Sequence, residues 1–340
     1  MKRIAAISFA CAVGAPSVGD ALAQGASPAD FYKDKTIRVL VGHPPGGSYD
    51  FYARLAADML RVHIPEAKAV IVENKPGGGG LVATSWFYAQ APRDGTELAV
   101  LPETIGNTQL MEPAVGKWNV VNLAYIGSFS AVNTAFMRRR NSPSKTIEDM
   151  KTKETIVGCT GTNAQSYQYP ALLKALGGFK FKMICGYPGA SEYTVALERG
   201  EIDMVSSAWN SWRVTHKQQI ADGELVPVIQ AGLKRNRELP DVALMQELVD
   251  DPVARNVIDF ASAGSAIGRA LVAPPGVPSE RIDYLRDLFA KIAKEPAMIE
   301  MADKRGLEFD PTPGDIVQGY SDAIAKTPPD VVEKAVAALR

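Results

Sequence analysis

The chain is poor in the residues that build metal centres and disulfide frameworks. Its 340 residues hold three cysteines and three histidines. His43, His63 and His216 are scattered without short ligand spacings, so the usual Cys/His zinc patterns are absent. Neither charge sign dominates: 37 Lys and Arg against 38 Asp and Glu leave a formal net charge of −1. That balance argues against a nucleic-acid partner, which would favour a basic patch. The one dense basic run, Arg138-Arg139-Arg140, reads as solvated surface. Walker loops and G-x-S-x-G nucleophile elbows are also missing. Beyond the first dozen residues no apolar run approaches the roughly 20 residues that a membrane-spanning helix needs.

The first residues have an order of their own. Lys2 and Arg3 precede an apolar stretch over residues 4–13, and small residues lead to Ala21-Leu22-Ala23. This is the layout of a secretory signal peptide, expected to span residues 1–23 and to be cleaved near Ala23. A buried first helix is the alternative, but Gly14, Pro16 and Gly19 would break it. Ser8-Phe9-Ala10 before Cys11 is a poor lipobox. The rest of the chain is long enough for two domains of ordinary size, and 46% hydrophobic with 22% charged residues is a globular composition. The two later cysteines, Cys159 and Cys185, end short apolar runs. Two buried free thiols are the first expectation. A disulfide requires those runs to be adjacent parallel strands, about 4.8 Å apart, in an oxidising compartment.

Apolar β-branched runs alternate with helical patterns. Residues 36–41, 70–72 and 98–101 read as strands, with helices from Ser48 and from Leu81. A second set begins after about Ser128, with strands expected at 155–158, 183–184, 202–205 and 225–230 and helices from Tyr167 and Gly189. Residues 270–273 form another strand candidate, leading through Pro274-Pro275-Gly276 into a long amphipathic helix. Strands and helices alternating at this spacing predict an α/β fold with mostly parallel sheets. The C-terminal helices most simply complete the first set.

In open α/β sheets, ligands bind beyond the carboxyl ends of the strands. Three loops meet that condition. His43-Pro44-Pro45-Gly46-Gly47-Ser48-Tyr49-Asp50 offers backbone N–H groups at a helix N-terminus, which favours an anion, with hydroxyls from Ser48 and Tyr49. Asp50 either orients this loop or accepts from a protonated ligand group. Asn74-Lys75-Pro76-Gly77-Gly78-Gly79-Gly80 is the second loop, and Gly161-Thr162-Asn163-Ala164-Gln165-Ser166, dense in neutral hydrogen-bonding groups, is the third. Glycine, serine and asparagine also serve ordinary strand-to-helix turns, so no single loop decides the matter.

Taken together, these segments resemble a known family. Val41-Gly42-His43-Pro44-Pro45-Gly46-Gly47-Ser48-Tyr49-Asp50, followed by Ala53-Arg54-Leu55-Ala56, is similar to the first loop of the tripartite tricarboxylate transporter receptors, the Bug or TctC-like binding proteins. Val72-Glu73-Asn74-Lys75-Pro76-Gly77-Gly78-Gly79-Gly80 resembles their second loop. Ala91-Pro92-Arg93-Asp94-Gly95-Thr96, Gly186-Tyr187-Pro188-Gly189-Ala190, Gly200-Glu201-Ile202-Asp203, Pro240-Asp241-Val242 and Ala273-Pro274-Pro275-Gly276-Val277-Pro278 continue the match in the family's order. The resemblance implies a type II periplasmic-binding-protein fold, with two Rossmann-like lobes, a central ligand cleft and a hinge. Residues 31–128 with 265–340 would form lobe 1 and residues 129–264 lobe 2, with hinges near 129–134 and 262–267. It further implies a periplasmic, monomeric, non-enzymatic receptor without cofactor or metal. Such a receptor delivers a small organic anion, a carboxylate, to cognate membrane permease subunits.

By position, the resemblance points to Gly46, Gly47, Ser48 and Asp50 as ligand contacts, with Gly161, Thr162 and Ser166 opposite. His43, Tyr49, Gly78, Asn163, Tyr187, Gly189, Asp203 and Trp209 complete the candidate set. Here His43 and Tyr49 depart from the family's usual residues, and Ala243 replaces a proline after Pro240-Asp241-Val242. Tyr49 with Tyr167 or Trp209 could make an aromatic wall, with His43 donating to the ligand; helix packing explains the same aromatics. The rival is a dinucleotide-dependent oxidoreductase, because Gly78-Gly79-Gly80-Leu81-Val82-Ala83 fits G-x-G-x-x-A and Glu103 stands about 25 residues further on.

Overall fold

The computed structural model describes residues 28–162 and 164–340. The expected signal peptide and Asn163 lie outside the described residues. Among the described residues the strands are β1 Thr36–Val41, β2 Ala69–Asn74, β3 Glu97–Val100, β4 Ala124–Ser128, β5 Thr134–Arg139, β6 Thr155–Cys159, β7 Phe181–Cys185, β8 Met204–Ala208, β9 Leu225–Ala231, β10 Ala243–Leu244, β11 Ala270–Ala273 and β12 Thr312–Pro313. They form two six-stranded sheets, in the orders β12-β4-β11-β3-β1-β2 and β10-β9-β5-β8-β6-β7.

Both sheets are mixed, where the sequence predicts mostly parallel ones. β1 lies parallel to β2 and β3, and β6 parallel to β7 and β8. β11 runs antiparallel to β3 and β4, and β5 antiparallel to β8 and β9. β12 also runs antiparallel to β4. β5 and β11 are each entered from a chain crossing between the halves, the second of which carries the short helix Gly264–Ile267. Arg138 and Arg139 close β5 half-buried, and Arg140 donates to the carbonyls of Asp222 and Gly223, so the basic triplet is a strand end.

The crossings hold each other. Phe129 N–H donates to Arg269 C=O at 3.0 Å, Arg269 N–H to Ser130 C=O at 2.9 Å, and Val132 N–H to Ser265 C=O at 2.9 Å. Gly268, at φ 59°, permits this approach: a Cβ there would stand 2.0 Å from the Ser130 carbonyl oxygen. Its backbone conformation also disfavours any side chain.

Strand burial follows composition. β3 and β11 are buried throughout, apolar in every residue except Glu97 at the start of β3. The amphipathic helix Ser279–Ile292 lays Ile282, Leu285, Phe289 and Ile292 on the first sheet, with Gly127 of β4 leaving room for the Phe289 ring. The last helix, Pro329–Leu339, does not stay with the first set. It bridges the helix Ile105–Met111 of the first half to Gln165–Gly177 and Pro252–Ser262 of the second. Val331, Val332, Val336 and Leu339 supply its apolar stripe. Cys159 and Cys185 are in register on β6 and β7 and joined by a disulfide, against the first expectation of free thiols. Parallel neighbours ending together bring their last side chains within bonding reach. Among the described residues no helix is long and apolar enough to cross a membrane.

Candidate functional site

The carboxyl ends of β1 and β3, the entry of β11 and the carboxyl end of β8 converge on one polar cluster. β1 leads through residues 42–47 into the 16-residue helix Ser48–His63. Gly47 is its N-cap and supplies no side-chain acceptor, so the first N–H groups of the helix present an open positive end. Gly46 adopts φ 88°, and a Cβ on Gly47 would meet nothing within 4 Å.

Asp50 organises this loop. It is 3% exposed, accepts from Gly46 N–H at 3.0 Å, from Asn74 Nδ2 at 3.0 Å and from Arg54 Nε at 2.9 Å. Burial opposes its ionisation, but the bonds from Arg54, Gly46 and Asn74 outweigh that and hold its carboxyl below the usual range. Asn74 also donates to His43 C=O at 3.0 Å, tying the second glycine-rich loop to the first. Of the two roles open to Asp50 in the sequence, the structure gives it the orienting one. Gly42 and Gly80 make the loops' contact, since a Cβ on Gly42 would lie 2.6 Å from Gly80 Cα. Gly78, at φ 55°, turns the second loop on the exposed side.

Ser48 joins the two halves. Its Oγ donates to Asn210 Oδ1 at 2.8 Å and accepts from Arg269 Nε at 2.8 Å. Asn210 lies in the helix Trp209–Thr215, which follows β8 in the second sheet. Arg269 Nη1 donates to Glu103 Oε2 at 2.6 Å, and both side chains are 1% exposed. Tyr49 OH donates to the same oxygen at 2.6 Å, and the Arg269 guanidinium sits 3.9 Å from the centre of the Tyr49 ring. Burial and then the Glu103 carboxylate push the Tyr49 hydroxyl far up, so it remains a donor. The His43 ring stacks on Tyr49 with centroids 4.1 Å apart. Burial first, then Arg269, lower its pKa to about 4, so the imidazole is neutral across the physiological range. Tyr52 OH accepts from Asn210 Nδ2 at 3.5 Å and donates to Glu308 C=O. Tyr169, of the second half, is buried with its charge interactions directed to Glu103 and Arg269.

Several candidates lie elsewhere. Asp203 precedes β8, at the amino end of the strands, and accepts from Ile156 N–H at 2.9 Å. It pins a strand start, away from the loops at the carboxyl ends. Tyr167 faces the C-terminal helix, its hydroxyl 3.5 Å from Leu339 C=O. Trp209 is 6% exposed in the core of the second half, donating to Glu238 at 2.7 Å. The aromatic neighbours of the cluster are therefore Tyr49 and Tyr169, and the wall built on Tyr167 or Trp209 does not form. Ser166 is buried, its Oγ accepting from Thr160 N–H at 3.2 Å within its own loop. Gly161 and Thr162 are nearer the surface of that loop. Tyr187 packs edge-on against Tyr193, and Gly189 caps the helix Ala190–Arg199, both beside the disulfide end of β7.

The dinucleotide reading loses its geometry. Its glycine run follows β2, at the sheet edge, whereas Glu103 follows β3, on the far side of β1. The fingerprint needs the acid at the end of the neighbouring strand. Glu103 is instead bound to Arg269.

Arg269, Asn210, Tyr52 and Tyr169 belong to the cluster and were not among the sequence candidates, and Glu103 was noted only for the dinucleotide reading. One signal existed: Arg269 is the lone charge in the otherwise neutral stretch of residues 260–279, directly before a buried strand. A charge placed there must be buried, and a buried charge must be paired.

Comparison with known proteins agrees with this architecture. A UPF0065 protein from the gbd 5' region of Cupriavidus necator is 27% identical over 306 residues, covering 87% of this chain and 86% of that one. The periplasmic binding protein BugD superposes with a TM-score of 0.68 at 22% identity, covering 89% of this chain and 98% of its own. Rpa4515 of R. palustris, solved with adipate, gives a TM-score of 0.68 at 18% identity, with 89% and 97% covered. The model of the tripartite tricarboxylate transporter family receptor matches residues 52–335, and the chain belongs to that family.

Proposed function

We propose that the protein is a periplasmic receptor, exported by its N-terminal leader, that closes two lobes around a small organic carboxylate and presents it to membrane permease subunits. The observation that carries this reading is the bond from Ser48 Oγ to Asn210 Oδ1 at 2.8 Å. It joins the helix start after β1 of the first sheet to the helix after β8 of the second, beside a helix N-terminus of the kind that suits an anion. The receptor family and the adipate bound to a relative of the same fold support a carboxylate cargo. The lobes are residues 31–128 with 265–328, and 129–264, with the last helix bridging them. Their relative motion is a hinge closure about the two paired crossings. The hydrogen bonds of Ser48 Oγ go to Asn210 and Arg269, which suits a binding role.

Calorimetric titration of the purified protein with mono-, di- and tricarboxylates tests the proposal. One carboxylate class is expected to bind selectively. Gly47→Val is expected to keep its melting temperature, because a side chain there enters open space, and to lose binding at least fiftyfold by blocking the amide end of the helix. Ser48→Ala is expected to weaken binding about tenfold, the worth of one hydrogen bond between the halves. No binding by any carboxylate, or wild-type affinity in both variants, would overturn the reading.

A further inference from the structure

The disulfide between Cys159 and Cys185 closes the last rung of β6 and β7, where two of the candidate loops begin. Its two halves differ in access. Cys159 is 0% exposed, whereas Cys185 lies at the exposed end of β7 between Ile184 and Gly186, both exposed. β7 is the edge of its sheet, paired only with β6. A thiolate attacks a disulfide in line with the bond, opposite the sulfur that leaves. The line from Cys159 through Cys185 runs from β6 to β7 and out past the sheet edge, so Cys185 is the sulfur open to attack.

The same edge carries charge. An open groove of about 580 Å³ along it is lined by Tyr167, Lys174, Lys180, Lys182 and Met183, with Glu154 as its acid. Among the described residues only Lys182 has an ion-pair partner there, Glu154 at 3.7 Å. The surplus is positive, which gathers anionic thiols and favours their thiolate form.

Backbone alone would hold the two loops once the bond opens. Gly186 N–H donates to Cys159 C=O at 3.1 Å and to Thr160 C=O at 3.0 Å. Thr160 N–H donates in turn to Ser166 Oγ at 3.2 Å, in the first turn of the helix Gln165–Gly177. The disulfide therefore clamps a short path from the sheet edge to the start of that helix. Exposed edges held by few bonds open most readily.

We propose that Cys185 is an exchange site for an anionic thiol of the glutathione type, and that opening the bond there loosens residues 160–162 and 186–189 and weakens ligand capture, the last step resting on the receptor reading above. The thiolate bonds to Cys185 Sγ as the Sγ–Sγ bond breaks, and Cys159 leaves as a thiolate. A second thiolate then attacks the thiol's own sulfur and releases Cys185. Two thiols are oxidised to one disulfide, and the protons they gave up end on Cys159 and Cys185.

The test treats the oxidised wild-type protein with glutathione at low salt, then alkylates it and maps the peptides by mass spectrometry. Glutathione is expected on Cys185 and the alkyl group on Cys159. K180Q/K182Q should slow this reaction about threefold, but not that with uncharged mercaptoethanol. Hydrogen exchange of the reduced protein should rise at 160–162 and 186–189 and stay slow in the rest of both sheets. Affinity for the best carboxylate should fall about tenfold and return on reoxidation. C159A/C185A should show the weakened affinity with or without thiol. Glutathione on Cys159, or reduction only in denaturant, would refute the exchange site. Faster exchange throughout the second sheet, or equal affinity in both redox states, would leave the bond a structural brace. Failure of the oxidised protein to bind any carboxylate would remove the receptor reading and the capture step, while the mapped cysteine still decides the exchange site.

Discussion

Asp50→Asn separates a residue that builds the ligand loop from one that touches the ligand. Asp50 is 3% exposed and holds Gly46 N–H and Asn74 Nδ2, each at 3.0 Å. Charge-assisted bonds contribute about 1.5–3 kcal/mol each, and the amide keeps an acceptor for only part of the set. The pair with Arg54, whose side chain is 52% exposed, adds less than about 1 kcal/mol because solvent screens it. The net loss is about 2–3 kcal/mol, or roughly 5 °C in melting temperature for a chain of this size. Affinity for the best carboxylate should fall about tenfold, since Asn74 also carries the His43 carbonyl. The stabilisation depends on an ionised Asp50 whose folded pKa is depressed. It is present above the unfolded value near 4 and is lost as pH falls through the folded one, so variant and wild type should converge in acid. Scanning calorimetry at pH 7 and pH 3, with titration at pH 7, measures all three effects. A melting temperature within a degree of wild type would refute the bracing argument. An unchanged melting temperature with binding abolished would make Asp50 a direct ligand contact.

Two further perturbations test the scaffold. Removing the disulfide by C159A/C185A releases a closed loop of 26 residues' separation, worth roughly 3 kcal/mol on chain entropy; in denaturant melts the variant should match the reduced wild type, and one as stable as the oxidised protein would contradict this. Glu97, 1% exposed with Arg38 only at 3.9 Å, has its carboxyl pushed up to about 7, by burial above all. The unfolded chain therefore releases this proton near pH 4.5 while the folded one keeps it to about 7, and stability falls as pH rises through that window. Glu97→Gln should flatten that slope and gain up to about 3 kcal/mol at pH 8 with no gain at pH 4, as thermal melts at both pH values would show; an equal effect at the two pH values would exclude the mechanism.

Much of the molecule was legible in local pattern. The β-branched runs at 36–41 and 225–230, the glycine-rich loops after β1 and β2, and the amphipathic helix from Ser279 are set by steric and periodic rules acting over a few residues. The family resemblance rests on the same short segments, and the helix start at Ser48 could be read from Gly46-Gly47-Ser48. β4 and β5 were not anticipated: Ala-Tyr-Ile-Gly-Ser and Thr-Ala-Phe-Met-Arg-Arg are short, and their pairing comes from strands far away in the chain.

The cluster at the junction belongs to tertiary structure. Glu103, Arg269 and Asn210 stand far apart in sequence, each in an ordinary local setting, and only the antiparallel return of β11 beside β3 brings Arg269 to Glu103. Asp203 and Tyr167 show the converse, since residues placed by motif turn out to face the wrong end or side of their elements. Local sequence determined that a loop with free amides would start a helix here. Which charges were buried around it was decided by how two separately formed sheets meet, because a buried charge is tolerated only where distant chain supplies its partner.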